Sequence, residues 1–263
     1  MSKLVMGTSI GYGPEHLEPF AKSLRRHYDG HIAMIVKEVT EPLQKFFEQY
    51  NIQAFEVRND YDHDQICNLR HQFHREVLKN HFLDVDRILL TDTRDVVFQA
   101  NPFGHEITTE LEFFLEASQY KNNECNTWWL KGNYAGAYGE AVFNQLCDEY
   151  IICAGTTMGT REGTIKYLDT MIVELNRVLI EKGLYVTDQP SHGYLIYNNH
   201  FPSNTKYHTG RGPISTMNDY HNMKFDSDNN LLNDDGSITP IIHQWDRTGD
   251  KKEIFYKKAM GLI

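Results

Sequence analysis

Cysteine is scarce in this chain of 263 residues, and its spacing excludes two kinds of small scaffold. The four cysteines stand at positions 67, 125, 147 and 153, and no two of them form a Cys-x-x-Cys pair. Zinc knuckles need such pairs, and disulfide frameworks need a short, cysteine-dense chain. The sequence therefore predicts neither, and a reducing, cytoplasmic setting is the expectation.

Long apolar runs are lacking as well. No continuous stretch approaches the roughly 18 apolar residues that a membrane-spanning helix requires. The opening stretch, MSKLVMGTSIGYG, has one lysine and only a short apolar run, so it is better interpreted as a buried strand than as a secretory signal. We expect no membrane span.

Positive charge is in deficit, and the common phosphate-binding loops are missing. The chain has 26 lysines and arginines against 36 aspartates and glutamates, for a formal net charge of −10. Nucleic-acid binding needs a basic face, so no nucleic-acid partner is expected. Gly11-x-Gly13 is followed by Pro14 and does not complete a GxGxxG fingerprint, and no GxxxxGK[ST] loop occurs. Dinucleotide and ATP binding therefore lack support.

Strands and helices alternate over the first ninety residues. Apolar periodicity and helix-start residues predict strands at 3–9, 31–39, 52–58 and 87–92, with helices beginning near 14, 40 and 64. That order predicts an α/β fold with a mostly parallel central sheet flanked by helices. Such sheets bind ligands at the carboxyl ends of their strands, where the strand order reverses.

The pattern after residue 103 is less regular. It predicts strands at 111–118, 150–160 and 194–199, and helices at 139–150 and 161–183. Residues 203–240 are rich in Asn, Asp, Gly and Ser and show little periodicity. The segment PIIHQWDR (240–247) then predicts a short strand that ends with a histidine.

The stretch RILLTDTRDVVFQANPF (87–103) carries the strongest chemical signal. An apolar strand stops at Thr91, and Asp92, Arg94 and Asp95 follow before the chain turns apolar again. Carboxylates at a strand end can hold Mg²⁺ or Mn²⁺, which then bridges diphosphate oxygens. The alternative is an aspartate helix cap with a surface Arg–Asp pair.

LLTDTRDVVF resembles the Asp-x-Asp metal motif of glycosyltransferases with the GT-A fold, which is Rossmann-related. The spacing departs from that motif, because Arg94 stands where the second acid belongs if Asp92 is the first. If the apolar run after the motif is aligned instead, Asp95 takes the place of the second acid of Asp-x-Asp and Thr93 that of the first. The resemblance implies that Asp95 is a metal ligand, and that Asp92 is a ligand or a contact to the donor ribose or sugar. Arg94 is then a donor contact that pairs with one of the acids.

Two further segments resemble the retaining enzymes of glycosyltransferase family 8. These enzymes take a third metal ligand from a late histidine, which His243 in IIHQWD matches. They also carry an Asp-Gln pair beside the transferred sugar, which Asp188-Gln189 matches. The resemblance implies a positioning or electrostatic role in catalysis for this pair. The alternatives are a half-buried histidine and a turn built by Asp188 and Pro190.

The remaining donor contacts are expected in the first turn and on the third helix. Thr8, Ser9 and Tyr12 are candidates for base and ribose contact, and Arg70 is expected to reach the donor, as basic residues on that helix do in GT-A folds. On the same helix, His71, His74 and Arg75 are interpreted as solvent-facing.

Two segments in the second half keep alternatives open. CAGTTMGTREG (153–163) is interpreted either as a lining for the acceptor or as a glycine-rich loop that caps the next helix. Trp128, Trp129 and Tyr134 either stack on sugars or fill the core, and we expect at least one tryptophan in the core.

The predicted protein is a single GT-A-like domain over 1–263, with a nucleotide-binding half (1–103) and an acceptor-side half (104–263) whose C-terminal segment closes over the donor. Its predicted function is metal-dependent transfer of a sugar from a nucleotide-sugar donor to a glycan or other hydroxyl acceptor, with Mn²⁺ or Mg²⁺ as cofactor. One alternative is a HAD-type phosphatase with Asp92 as nucleophile, although Arg94 stands where its general acid belongs. The other is a non-catalytic nucleotide- or carbohydrate-binding module.

Overall fold

Apolar runs in the first strands reflect burial on both faces of one sheet. In the computed structural model, Leu4, Val5 and Met6 are all fully buried. Val5 packs into the core on one face, whereas Leu4 and Met6 pack into the core on the other. The structure describes residues 2–132, 136–183, 185–201, 204–209, 211–218 and 222–263.

The strands and helices follow the alternation seen in the sequence. The strands are β1 (Ser2–Thr8), β2 (His31–Val36), β3 (Gln53–Glu56), β4 (Val85–Thr91), β5 (Val96–Phe98), β6 (Leu111–Gln119), β7 (Tyr150–Thr160), β8 (Thr205–His208), β9 (Ile214–Thr216), β10 (Lys224–Phe225), β11 (Leu231–Leu232) and β12 (Ile241–His243). The helices are α1 (Pro14–Arg25), α2 (Glu41–Gln49), α3 (His63–His81), α4 (Glu124–Lys131), α5 (Glu140–Leu146), α6 (Arg161–Lys182), α7 (Gln189–Tyr197) and α8 (Lys252–Met260).

Seven of the described strands form the central sheet, in the order β3-β2-β1-β4-β7-β6-β8. The strands from β3 to β4 run parallel, β7 is antiparallel to both of its neighbours, and β8 is parallel to β6. Residues of α1 and α2 pack on one face, and residues of α3, α6 and α7 pack on the other. The predicted α/β architecture, a mostly parallel sheet flanked by helices, is confirmed.

The strand order reverses between β1 and β4. From β1 the chain moves outward through β2 and β3, and it then returns to place β4 on the other side of β1. The connections after β1 and after β4 therefore diverge, which leaves a crevice at the carboxyl ends of these two strands. The residues that follow Thr8 and Thr91 lie at this edge.

A second, three-stranded sheet brings the C-terminal segment to the same edge. Its order is β5-β12-β9. His243 pairs in register with Val96 of β5, where the strands are antiparallel, and with Thr216 of β9, where they are parallel. Because Val96 directly follows Asp95, this pairing holds His243 beside the acids of the 92–95 turn.

One predicted element is of the wrong type. Residues 194–199 were predicted as a strand, but most of them lie in α7, which has Pro190 in its first turn. A short buried apolar run has no periodicity that separates strand from helix, which explains the error. The strand predicted over 150–160 is confirmed as β7, so residues 153–160 do not form the glycine-rich loop that was the alternative. The side chain of Thr160 caps α6 by accepting a hydrogen bond from the backbone N–H of Gly163.

Among the described residues, no helix combines the length and the apolar character needed to cross a membrane.

Candidate metal centre

A cavity of about 560 Å³ opens at the carboxyl edge of β1 and β4. Its walls come from the ends of these strands, from α3, α4 and β7, from the start of α7, and from the segment after β12. Both the first and the second half of the chain therefore contribute to one cavity. Its position is the strand-order switch point where open α/β sheets bind their ligands.

Asp92, Asp95 and His243 converge on the wall of this cavity. One ligand atom from each lies within 4.8 Å of the other two. His243 Nε2 is 3.3 Å from Asp92 Oδ2 and 3.7 Å from Asp95 Oδ1. The side chain of Asp92 is 35% exposed, whereas those of Asp95 and His243 are 6% and 1% exposed. The trio therefore has one ligand facing the cavity and two set into its wall.

Backbone hydrogen bonds fix the turn that carries the two acids. The backbone N–H of Asp92 donates to the carbonyl of Gly155 on β7, at 2.8 Å. At the other end of the turn, the N–H of Trp245 donates to the carbonyl of Asp95, at 3.4 Å. These bonds tie the turn to the central sheet and to the C-terminal segment.

The imidazole of His243 has one occupied side and one unsatisfied side. Its Nδ1 lies 3.3 Å from the Cys153 thiol and 3.4 Å from the Thr216 hydroxyl. Its Nε2 is buried, makes no hydrogen bond within the described part of the chain, and faces the two carboxylates. A buried polar atom without a partner is costly. A cation at this point would satisfy it, so the donor set fits a divalent metal.

The two carboxyl groups are held in different electrostatic environments. Partial burial raises the pKa of Asp92, but Arg70 and His243 outweigh it and hold that pKa well below its ordinary value. Burial raises the pKa of Asp95, and the neighbouring Asp92 adds to this effect against the opposing effect of His243. Burial lowers the pKa of His243, but Cys153, Asp92 and Asp95 outweigh it and raise that pKa. A proton on the imidazole therefore competes with a metal ion for this position.

Arg70 connects the metal trio to the second predicted motif. Its Nη1 donates to Asp92 Oδ1 at 2.7 Å, and its Nη2 and Nε donate to Asp188 Oδ2 at 2.6 and 2.9 Å. His71 Nε2 lies 2.9 Å from the same Asp188 oxygen. One guanidinium therefore orients Asp92 on the cavity wall and compensates the buried charge of Asp188.

The prediction that His71 and His74 face solvent is wrong. Both side chains are buried, because the face of α3 that carries them packs toward the sheet. His71 contacts Asp188, and His74 Nε2 lies 3.0 Å from the hydroxyl of Thr8. Their i, i+3 spacing indicated a shared face but not its direction. Arg75, on the exposed side of α3, pairs with Asp169 and Glu76.

Gln189 lies at the cavity but uses its amide to join two elements. Its Oε1 accepts from the backbone N–H of Ala154 at 2.9 Å, and its Nε2 donates to the carbonyl of Ile152 at 2.6 Å. These bonds fix the start of α7 against β7. Its predicted role beside the transferred sugar stays a prediction, as does that of Asp188.

The first-turn candidates divide into two groups. Thr8 and Tyr12 line the cavity. Ser9 is buried, and its hydroxyl donates to the hydroxyl of Thr93 at 2.9 Å. Its side chain therefore packs between β1 and the 92–95 turn.

Arg94 stands on the cavity wall as a partly exposed cation. It forms an ion pair with Asp246, and its Nη2 lies 3.4 Å from Asp95 Oδ2. Arg247, from the segment after His243, also lines the cavity and comes within 3.8 Å of Asp95. Sequence reasoning missed Arg247, whose one signal was its place in the IIHQWDR segment. The guanidinium groups of Arg94 and Arg247 thus lie beside Asp95 of the trio.

The aromatic candidates of the second half lie at the surface and at the cavity. Trp128 is exposed and Trp129 is half-buried on the cavity wall, so the expectation that one of them fills the core is wrong. Both lie on α4, whose buried side chains are Asn126 and Leu130. Tyr134 lies outside the described residues.

Gly155 is the residue of the 153–163 segment that bears most directly on the site. A Cβ at this position would lie 2.5 Å from Asp92 Oδ2 and 2.6 Å from His243 Cε1. Only a glycine lets β7 approach the two ligands this closely. The sequence indicated a glycine-rich approach to a ligand here, but the neighbours became visible only in the fold.

A scan against protein-family models and a search of the curated proteins each returned no match.

Proposed function

We propose that the protein is a metal-dependent glycosyltransferase with a GT-A-like domain, which transfers a sugar from a nucleotide-diphosphate donor to a hydroxyl acceptor. One observation carries the proposal. The ligand atoms of Asp92, Asp95 and His243 converge within 4.8 Å at the switch-point edge of the sheet, on the wall of a cavity. The resemblance of the motif to GT-A and family 8 enzymes supplies the reaction class and implies retention at the anomeric carbon.

The donor set supports Mn²⁺ or Mg²⁺ as the cofactor. Two carboxylates suit a hard cation, and one imidazole is tolerated by Mn²⁺ more readily than by Mg²⁺. Asp92, Asp95 and His243 would hold the ion. When bound, such an ion neutralises diphosphate oxygens and makes the diphosphate a better leaving group.

The cavity wall offers groups suited to the rest of a nucleotide. The guanidinium groups of Arg94 and Arg247 can meet phosphate oxygens by charge-assisted hydrogen bonds. Thr8 ends β1 and Tyr12 lies in the connection to α1, where a base and a ribose fit the proposed orientation. Arg70 keeps Asp92 ionised and directs its second oxygen toward the metal position.

Asp188 is proposed to act by its charge. Burial raises its pKa, but Arg70 and His71 outweigh burial and lower it, so the group stays a carboxylate at neutral pH. A carboxylate held in place by Arg70 and His71 at the cavity would stabilise an oxocarbenium-like state at the anomeric carbon. Asn126 and Trp129, on the α4 side of the cavity, would meet the acceptor. In this assignment the acceptor side belongs to 104–263, whose C-terminal segment, with His243 and Arg247, closes over the donor.

The two rival functions have no specific observation in their favour. A HAD-type phosphatase with Asp92 as nucleophile needs a general acid two residues later, but Arg94 stands there and pairs with Asp246. A binding module without catalysis would account for the cavity, but no contact in the described residues favours it over a transferase. Thermal unfolding with nucleotides tests the binding module, and a phosphatase assay tests the other rival.

The test is thermal unfolding against a panel of nucleoside diphosphates, with and without Mn²⁺. A ligand present at 100 times its Kd stabilises the folded state by about 2.7 kcal/mol. We expect one nucleoside diphosphate to raise the Tm, only when the metal is present. Asp95→Asn should abolish the shift, and Asp169→Asn, which removes a carboxylate that pairs with Arg75 outside the cavity, should preserve it.

The other outcomes separate the rivals. A nucleotide-dependent shift that needs no metal and survives Asp95→Asn would favour the binding module. Release of phosphate from a simple phosphate ester, lost in Asp92→Asn, would favour the phosphatase. The absence of a shift for every nucleotide, with and without metal, would contradict the proposed transferase.

A further inference from the structure

A second cluster of imidazole and carboxylate groups lies apart from the cavity. His105 Nε2 is 2.7 Å from Glu112 Oε2, and His208 Nε2 is 2.8 Å from the same oxygen. One ligand atom from each of the three residues lies within 4.8 Å of the other two. None of the three lines the cavity that holds the first trio.

The three residues come from separate segments that meet on one face of the sheet. Glu112 is the second residue of β6, and His208 ends β8, the edge strand that pairs in parallel with β6. His105 lies in the segment that connects β5 to β6. The cluster therefore joins the sheet, its edge strand and a connecting segment at a single carboxylate.

The carboxylate is buried and remains ionised. Glu112 is 0% exposed, while the side chains of His105 and His208 are 18% and 9% exposed. Burial raises the pKa of Glu112, but the contacts with His105 and His208 outweigh it and lower the pKa to about 2. A fully buried carboxylate that stays charged needs a cation or strong donors beside it.

The cluster also has an unsatisfied nitrogen and a route from solvent. His105 Nδ1 is buried and makes no hydrogen bond within the described residues. The contact with Glu112 places a proton on His105 Nε2, and no hydrogen bond at Nδ1 opposes its transfer to that nitrogen when a metal ion takes Nε2. The partial exposure of His105 leaves an entry path on one side. The ring of Phe114 stacks on that of His208, with centroids 5.0 Å apart, and so orients the second imidazole.

We propose that His105, Glu112 and His208 form a second metal site, which takes a borderline cation of the Zn²⁺ class and ties the edge strand β8 and the 99–110 segment to the sheet. Two imidazoles and one carboxylate are a common zinc ligand set, with water in the fourth position. Imidazole ligands suit Zn²⁺ better than Mg²⁺ or Mn²⁺, in contrast to the carboxylate-rich trio at the cavity.

The two imidazole rings must move to hold the ion. Zinc bonds of about 2.0–2.1 Å to nitrogen and about 2.0–2.2 Å to oxygen, arranged tetrahedrally, put neighbouring ligand atoms about 3.4 Å apart. The two nitrogens now lie 2.7 and 2.8 Å from the shared oxygen. Each ring must therefore move away from that oxygen by roughly 0.6 Å. The ligand atoms of the two imidazoles, which lie within 4.8 Å of each other, must also reach the tetrahedral separation, and the Nε2 protons must leave as the metal enters.

The test is equilibrium dialysis against Zn²⁺ or Co²⁺ with metal analysis, together with the visible absorption of bound Co²⁺. Asp95→Asn weakens the cavity trio, so the metal that this variant retains reports on the second site. We expect Asp95→Asn to retain one tightly bound ion with a tetrahedral Co²⁺ spectrum. Adding His105→Gln, which keeps a hydrogen-bond donor for Glu112, should weaken that binding at least about tenfold and abolish the rise in Tm with Zn²⁺.

A matched histidine controls for adventitious surface binding. His16 is on α1 and half-exposed, and its nearest acid is the exposed Glu15. His16→Gln in the same Asp95→Asn background should leave the retained ion in place. Retention of no ion, or equal retention in the His105→Gln and His16→Gln variants, would overturn the proposal and leave a hydrogen-bonded Glu–His cluster without a metal. Neither result bears on the metal-dependent nucleotide shift, which tests the first site separately.

Discussion

The two imidazole–carboxylate clusters use similar groups in opposite surroundings. The first cluster stands on the wall of a cavity at the carboxyl edge of the sheet and consists of Asp92, Asp95 and His243. The carboxylate of Asp92 is partly exposed and pairs with the guanidinium of Arg70. Glu112 lies fully buried between two histidines within the sheet and its covering segment. Because of its position at an open cavity, the first cluster suits a ligand that exchanges with solvent. The buried second cluster suits an ion that stays in place.

The largest expected effect on stability comes from removing Arg70, the cation that pairs with both Asp92 and Asp188. Arg70→Met leaves Asp188 buried without its guanidinium partner, since that side chain is only 3% exposed. We expect a loss of about 3–5 kcal/mol in the free energy of unfolding, measured by urea denaturation. Zn²⁺ binding at the His105 cluster should persist in the fraction that stays folded.

Arg75→Met is the matched control on the same helix. Its partners Asp169 and Glu76 are partly exposed, so the loss should be about 0–1 kcal/mol. Equal losses for Arg70→Met and Arg75→Met would show that Arg70 is not the cation on which Asp188 depends.

The second expected effect is a pH dependence of stability that arises from Glu112, the carboxylate of the buried cluster. The pKa of Glu112 is lowered to about 2 in the folded state from an ordinary value of 4.5. A lowered pKa gives stability that is present above the ordinary value and is lost as the pH falls toward the folded-state value. We expect the advantage of the wild type over Glu112→Gln, on the order of 3 kcal/mol, to fade between about pH 5 and pH 2.

This measurement needs unfolding curves in the presence of a chelator across that pH range. Glu253→Gln is the control, because Glu253 pairs with Lys257 on the exposed surface of α8. Its difference from the wild type should stay small throughout. A difference for Glu112→Gln that does not change with pH would argue against an ionised buried carboxylate.

The third effect compares two glycines that lie beside the two clusters. Gly155→Ala places a Cβ 2.5 Å from Asp92 Oδ2, so the ligands must shift. We expect a cost of about 1–3 kcal/mol and weaker Mn²⁺ binding, measured by denaturation and by metal titration. Gly212→Ala places its Cβ no nearer than 3.5 Å to the atoms of His208, an ordinary contact, and should leave metal binding at both clusters unchanged. Unaltered Mn²⁺ binding in Gly155→Ala would contradict the proposed ligand positions.

The smallest effect on stability is expected at the rim of the cavity. Arg94 is 36% exposed and pairs with Asp246, so Arg94→Gln should change the free energy of unfolding by about 0–1 kcal/mol. If it meets donor phosphates, the variant should bind the nucleoside diphosphate more weakly while binding Mn²⁺ alone as before, in calorimetric titrations. Arg58→Gln, at an exposed pair with Glu56, is the control. Unchanged nucleotide affinity in Arg94→Gln would remove Arg94 from the proposed donor site.

The sequence predicted the fold better than it predicted side-chain surroundings. Strand and helix periodicity found the elements from β1 to β4, because each pattern is repeated over several residues. It failed at α7, where a short buried apolar run carries no usable period. It also failed for His71 and His74, since the side of α3 that faces the sheet depends on packing.

Local sequence by itself determined the order of strands and helices. It also determined that Asp92 and Asp95 follow the end of a strand. Only the tertiary structure decided which distant groups meet them. It brought His243 to the two acids through the β5–β12 pairing, and Arg70 to Asp188 across the cavity. It also joined Glu112 to His105 and His208, a contact that no motif in the chain announces. The physical reason is that periodicity encodes burial of neighbours along the chain, whereas these contacts arise from strand pairing and helix packing between remote segments.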